Sequence, residues 1–256
     1  MIFNILTYNS EDDIVTGAIL LKDLIYNIIT SRCQIYRLIT QNFMKALFIP
    51  VYSNIDGIKN LYNCIDYEVD LVHIISKPEI KLEHNPNVKQ LKITNYSYKF
   101  KSLAQIWNYF IESYDIDNYI IMNDDITFGS GYIENYFKTI NNNPNTYRIQ
   151  SGYPHTCFST SKYVIDKVGL YDENYIGAYY EDTDYHKRCI ESNIKIVEVD
   201  GEIFNFKHEG RATNRTCTET EREIIKYNMN RNAEYFNKKW GGYHIDNLKY
   251  SNPFNL

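Results

Sequence analysis

Asn118-Tyr119-Ile120-Ile121-Met122-Asn123-Asp124-Asp125-Ile126 is the stretch on which the reading of the fold turns. An apolar run passes straight into two adjacent carboxylates, as a buried parallel strand does when it ends at a site. In an open α/β sheet, ligands gather outside the carboxyl ends of the strands. Two neighbouring acids repel each other unless positive charge stands beside them, and a hard divalent cation with oxygen ligands supplies it. Asn and Asp also favour turns, so the same residues taken alone suit a solvated strand-to-loop turn equally well.

Outward from this stretch the chain alternates strand and helix. Ala46-Leu47-Phe48-Ile49-Pro50-Val51-Tyr52 reads as a buried strand, with Ile58, Leu61, Tyr62 and Ile65 at helical spacing behind it. Val69 to Ile75 and Val88 to Ile93 read as the second and third strands. Leu103, Ile106, Trp107, Phe110 and Ile111 mark one face of a helix over about Ser102 to Tyr114, which leads into the acid-terminated strand. Such alternation predicts an α/β fold with a largely parallel sheet covered by helices on both faces. A charged helix from about Thr218 to Lys239, stopped by Gly241-Gly242, closes the chain. Ahead of all this, residues 1–43 form an N-terminal extension. It holds a short strand-like run, Ile2 to Leu6, and an amphipathic helix from about Ile14 to Ile29. The apolar stripe Ile14, Ala18, Leu21, Ile25 and Ile28 predicts burial against the domain or, in a homodimer, against a second copy.

Composition limits the function classes. The 256 residues, 44% hydrophobic and 23% charged, are those of an ordinary globule large enough for a sizeable core. A net charge of −5 argues against a general nucleic-acid binder, which carries a basic stripe. Cys33, Cys64, Cys157, Cys189 and Cys217 are scattered without C-x-x-C spacing, which suggests reduced thiols in a cytoplasmic protein. No apolar run approaches the roughly 18 residues of a membrane span, and the N-terminus lacks the pattern of a secretory leader.

A second acidic cluster, Tyr180-Glu181-Asp182-Thr183-Asp184, precedes a helical stretch through Arg188 and Cys189. Acids at a helix N-terminus complement the macrodipole and cap the first turn. Glu181 or Asp184 also stands at helical spacing to pair with Lys187 or Arg188. Further on, a lone His208 is followed by Glu209-Gly210-Arg211. Arg211 and Arg215 are placed either to clamp a diphosphate bidentately or simply to be solvated loop charge.

The order of these pieces resembles the family 2 glycosyltransferases of the GT-A fold, over roughly residues 45–240. The run Ser161 to Glu173, with Val168-Gly169-Leu170-Tyr171-Asp172-Glu173, then Glu181-Asp182-Thr183-Asp184 and Arg188, is its most specific part. Arg231, Tyr235 and Lys239-Trp240-Gly241 look like the family's closing helix. The resemblance implies a Rossmann-like, mostly parallel sheet in a domain over residues 44–256. Its nucleotide-binding half spans about 44–127, its acceptor half about 128–216 and its closing helix about 218–240. It implies an inverting, divalent-metal-dependent transfer of a sugar from a nucleotide diphosphate sugar, a UDP-sugar foremost, to a hydroxyl of a carbohydrate or glycoconjugate. Asp125 and His208 would then hold Mn²⁺ or Mg²⁺, Asp124 the ribose and Tyr52 the base. Asn95 and Asn108 match polar positions near the nucleotide sugar, Asp182 the catalytic base, and Glu181 and Asp184 acceptor contacts. Where the family carries an acid at the end of the second strand, this chain reads Ile75-Ser76-Lys77-Pro78. Two other classes compete. A catalytically silent relative would bind a glycan or nucleotide sugar without transfer, but the intact Asp125 and Asp182 argue against it. A nucleotidyltransferase needs a Gly-rich phosphate loop, which Tyr52-Ser53-Asn54 is not.

Overall fold

A computed structural model describes residues 44–96, 99–209 and 216–242, all within the compact unit Met44–Leu256. The extension 1–43 with its expected helix, and both Arg211 and Arg215, lie outside the described residues.

The first strand shows why the sheet is buried on both faces. All six residues of β1 (Ala46–Val51) are buried. Side chains alternate across a strand, so Leu47, Ile49 and Val51 enter one apolar core while Ala46 and Phe48 enter another. The first core is closed by α1 (Ile55–Asn63) and α3 (Tyr132–Asn142). The second is closed by α2 (Leu103–Ser113), α4 (Lys162–Val168) and α5 (Glu181–Glu191). The remaining large strands are β2 (Leu71–Ser76), β3 (Leu91–Asn95), β4 (Asn118–Met122), β6 (Tyr147–Gln150), β7 (Cys157–Ser161) and β8 (Ile196–Val199).

Spatial order in the seven-stranded sheet is β3-β2-β1-β4-β7-β6-β8. β3, β2, β1 and β4 are mutually parallel, β7 is antiparallel to both neighbours, and β8 runs parallel to β6. Six described strands thus run one way and β7 alone runs against them, the largely parallel α/β sheet that the sequence predicts. The second and third strands begin later than the apolar pattern suggests. Val69 and Val88 make only an isolated parallel bridge, and Asp70 turns its carboxylate to accept from the Lys45 backbone N–H at 2.9 Å.

Two smaller features place functional side chains. β5 (Ile126–Thr127) pairs antiparallel with β9 (Lys207–His208), with Ile126 opposite His208. The last helix, α6 (Glu219–Trp240), starts at a capping box between Thr218 and Glu221 and stops at Gly241 with φ 74°. Its buried Phe236 and Trp240 pack on Tyr175. Among the described residues no helix is long and apolar enough to cross a membrane, and the four described cysteines are free.

Candidate functional site

The parallel strands β3, β2, β1 and β4 bring their carboxyl ends to one edge of the sheet. There a cavity of about 680 Å³ opens, within the range of small-ligand sites. Strand ends supply Tyr52, Lys77, Asn95, Tyr96 and Asn123 to Asp125; the start of α2, the Gly177–Tyr179 segment and α6 close the far side. Of the residues expected near a donor nucleotide, Tyr52, Asn95, Asp124 and Asp125 all line this cavity.

The two acids are held from behind. Asn54, the N-cap of α1, donates from Nδ2 to the Asp124 carbonyl at 3.2 Å and accepts from the Gly57 N–H at 3.1 Å. A Cβ on Gly57 would lie 2.2 Å from that same carbonyl, so only glycine lets the helix come this close. Both aspartates are buried, each residue 8% exposed. Burial, and after it the charge of Asp125, raises the Asp124 carboxyl to about 8. The β5–β9 pairing delivers His208 from far along the chain: its Nε2 lies 3.1 Å from Asp125 Oδ2, and Glu209 donates its backbone N–H to the Asp125 carbonyl at 2.9 Å. Asp125 Oδ1 is buried with no hydrogen-bond partner. An orphaned carboxylate oxygen and an imidazole nitrogen beside its twin, with a second carboxyl adjacent on the same turn, make a donor set suited to a divalent cation. Among the described residues no group of three or more His, Cys, Asp or Glu could hold a metal.

The second acidic cluster divides into three different environments. Asp182, second residue of α5, is partly exposed, and its Oδ1 accepts from the Thr183 N–H at 2.6 Å and Thr183 Oγ1 at 3.1 Å. It does not line the cavity itself, but the Gly177–Tyr179 segment just upstream does. That segment runs into two successive residues with left-handed backbone, Tyr179 at φ 80° and Tyr180 at φ 76°. Each such residue costs about 1–3 kcal/mol and persists only where its surroundings enforce it. Asn232 of α6 does the enforcing, donating to the carbonyls of Ile176, Ala178 and Tyr179 and accepting from the Ile176 N–H.

Asp184 departs from its expected acceptor role. It is fully buried and accepts from Tyr175 Oη, Trp240 Nε1 and Arg188 Nε, with Lys239 Nζ at 2.7 Å. The i,i+4 pair with Arg188 was legible from spacing; the rest of this hub was not. Glu181 is also shut away from any acceptor, 2% exposed with Oε2 unpartnered. Burial, then the charge of Asp182, lifts its carboxyl well above the usual range. Asn108 likewise leaves the nucleotide site. It is buried and bonded to the Tyr171 backbone through both ends of its amide, and to Glu173. It therefore pins the Tyr171–Glu173 turn to α2. Burial lowers the His155 imidazole below its usual range while the Asp182 charge opposes the shift, and its ring is 5.6 Å from that of His186.

Sequence reading missed Lys77, Lys101, Tyr96, Gly177 and the Ile224, Ile225 and Asn228 face of α6, all of which line the cavity. None belongs to an acidic motif. Lys77 and Tyr96, directly after β2 and β3, occupy positions that the strand-end rule singles out.

No family model and no curated protein matches the chain. Among solved structures it is similar to S. aureus TarS 1-349 in complex with UDP-GlcNAc, at 11% identity and a TM-score of 0.49, covering 80% of this chain and 75% of that one. It is similar to the mannosyltransferase PcManGT from Pyrobaculum calidifontis in complex with GDP-Man and Mn²⁺, at 8% identity and a TM-score of 0.48, covering 71% and 64%. A third is GalNAc-T7 with UDP, GalNAc and Mn²⁺, at 9% identity and a TM-score of 0.49, covering 66% of this chain and 44% of that chain.

Proposed function

We propose that the domain is an inverting, divalent-metal-dependent glycosyltransferase of the GT-A kind. It would move a sugar from a nucleotide diphosphate sugar to an acceptor hydroxyl. The observation that carries this reading is the Asp125–His208 pair, 3.1 Å apart at the carboxyl edge of a parallel sheet, with one buried Asp125 oxygen left unpartnered. Asp125 and His208 would hold Mn²⁺ or Mg²⁺; a carboxylate suits either, and the imidazole leans toward manganese. Bound there, the cation would offset the charge that develops on a departing diphosphate.

The other residues take roles by position. Asp124, next along the same turn, faces the cavity where the ribose of a donor would lie. Tyr52, one strand away from the acids, presents an aromatic surface for the base. Asp182 lies on a different element from the metal pair, as inversion requires of a base that works on the face opposite the leaving group. It has an oxygen to spare for an acceptor proton. Asn95 remains a cavity-lining contact for the donor, and an acceptor would enter past Gly177–Tyr179 and α6.

A thermal-shift panel tests the reading. Nucleoside diphosphates, their sugar conjugates and unrelated anions are screened with and without Mn²⁺. A nucleotide that binds the native state raises the melting temperature by mass action, and the expected pattern is stabilisation by nucleotides only when the metal is present. A flat panel would sink the reading. Tyr52→Ala should weaken nucleotide binding about tenfold, the order of one base–aromatic stack, with the melting temperature of the free protein almost unchanged. Equal affinity in mutant and wild type would remove Tyr52 from the site.

A further inference from the structure

We propose that Asn232 is a positioning residue for the base: from α6 it fixes the backbone turn that sets the direction of α5, and so aims the Asp182 carboxylate at the acceptor hydroxyl. The proposal rests on the reading of Asp182 above and goes beyond it by naming what holds the base in place.

The helix that carries Asp182 starts without a cap of its own. Tyr180, the N-cap of α5, makes no side-chain cap bond, where Ser, Thr, Asp or Asn ordinarily supplies one. The direction in which the chain enters the helix is therefore left to the torsions just ahead of it. Two of these, Tyr179 at φ 80° and Tyr180 at φ 76°, are left-handed. Neither residue is a glycine, and a residue with a Cβ leaves this region unless its surroundings hold it there. Asp182 stands two residues beyond Tyr180, so relaxation of either torsion would swing its carboxylate.

The segment ahead of the base is gripped from two sides. Toward α2, the Gly177 N–H donates to the Lys101 carbonyl at 2.8 Å, and the Gly177 carbonyl accepts from the Leu103 N–H at 2.8 Å. Toward α6, a Cβ on Gly177 would lie 2.9 Å from Asn228 Nδ2, so helix and segment meet at close range. One turn further along α6 comes Asn232, which is fully buried. Its Nδ2 lies 2.9, 3.2 and 3.1 Å from the carbonyls of Ile176, Ala178 and Tyr179, and its Oδ1 accepts from the Ile176 N–H at 3.1 Å. A buried amide costs free energy unless it is hydrogen-bonded, and an apolar residue would serve a helix face that only had to pack. Here both ends of the amide are spent on the backbone that leads to the base.

A base is useful only in register with the proton it takes, and a misplacement of about 1 Å can cost about 10²-fold in rate. Asn232 reaches neither Asp182 nor the cavity wall formed by the strand ends, so its loss should act on the transfer step and spare the donor.

The test is a double-mutant cycle on the full chain: wild type, Asn232→Ala, Asp182→Asn and the double mutant. The reaction followed is hydrolysis with Mn²⁺ and water as acceptor, over a panel of UDP-glucose, UDP-galactose, UDP-GlcNAc and GDP-mannose. Asn232→Ala should lower kcat about 10- to 100-fold, while affinity for UDP or GDP stays within about twofold of wild type. In the Asp182→Asn background the same change should cost about twofold or less, because the group it positions is already disabled. Asn232→Ser, which keeps one short donor, should show the same non-additivity with a smaller loss and serves if the alanine variant does not fold. A kcat near wild type in Asn232→Ala overturns the proposal, as does an equal loss in both backgrounds, the mark of a merely structural residue. If Asp182→Asn hydrolyses as wild type does, or wild type hydrolyses no donor, the reading of the base fails first and takes this one with it.

Discussion

Asp182→Asn is expected to lower sugar transfer by about 10²–10⁴-fold, the usual contribution of a positioned general base, while leaving nucleotide affinity and folding close to wild type. An alcohol attacks poorly until its proton can leave, and the amide keeps the shape of the carboxylate without its basicity. The geometry explains why folding should be spared. Asp182 is partly exposed at the start of α5, and among the described residues its hydrogen bonds run to its neighbour Thr183. Single-turnover transfer rates measured beside nucleotide titrations separate the two effects. A mutant that transfers within a few-fold of wild type would exclude Asp182 as the base.

Asp184→Ala, two residues along, should behave in the opposite way and destabilise the fold by about 3–5 kcal/mol, the cost of breaking a buried charged pair. Its carboxylate joins Arg188 of its own helix to Tyr175 and to Trp240 and Lys239 of α6. Removal leaves Arg188, only 10% exposed in its side chain, without its partner carboxylate. It also loosens the last turn of α6, although Asp172 still holds Lys239 at 2.7 Å. Urea denaturation should show a lower midpoint at unchanged slope. A midpoint near wild type would show that the hub contributes little.

These two aspartates also show how far the sequence could be read. Both sit in one acidic run, and spacing alone separates neither its acids nor their roles. What distinguishes them is α6, which reaches Asp184 from 56 residues downstream through the Trp240 indole. The same holds for the Asp172 motif, whose carboxylate accepts from Tyr235 Oη at 3.0 Å and meets Lys239. Those motif residues lock the closing helix to the domain. Strands β1, β2 and β4 were legible because burial on both faces writes them as nearly continuous apolar runs, and the edge strand β3 because Leu91 and Ile93 alternate with polar residues. β6 and β7 were not, since short strands rich in Ser, Thr, Arg and Gln carry little periodicity, and neither was β8, which is only four residues long. Arg148 and Gln150 are buried polar exceptions there, Arg148 donating to the Asn143 carbonyl and Gln150 accepting from Tyr132 Oη at 2.6 Å. The juxtaposition of His208 with Asp125 follows from a two-residue β-pairing that no local pattern announces.

The most direct measurement of the central claim is a calorimetric titration of UDP and GDP into the protein, with Mn²⁺ and without it, repeated on Asp125→Ala. At least one nucleotide should bind wild type when the metal is present. Its affinity should fall about tenfold or more when the metal is withheld or Asp125 is removed, as loss of a metal-site residue does elsewhere. Binding that ignores both Mn²⁺ and Asp125, or no binding by either nucleotide, would contradict the account.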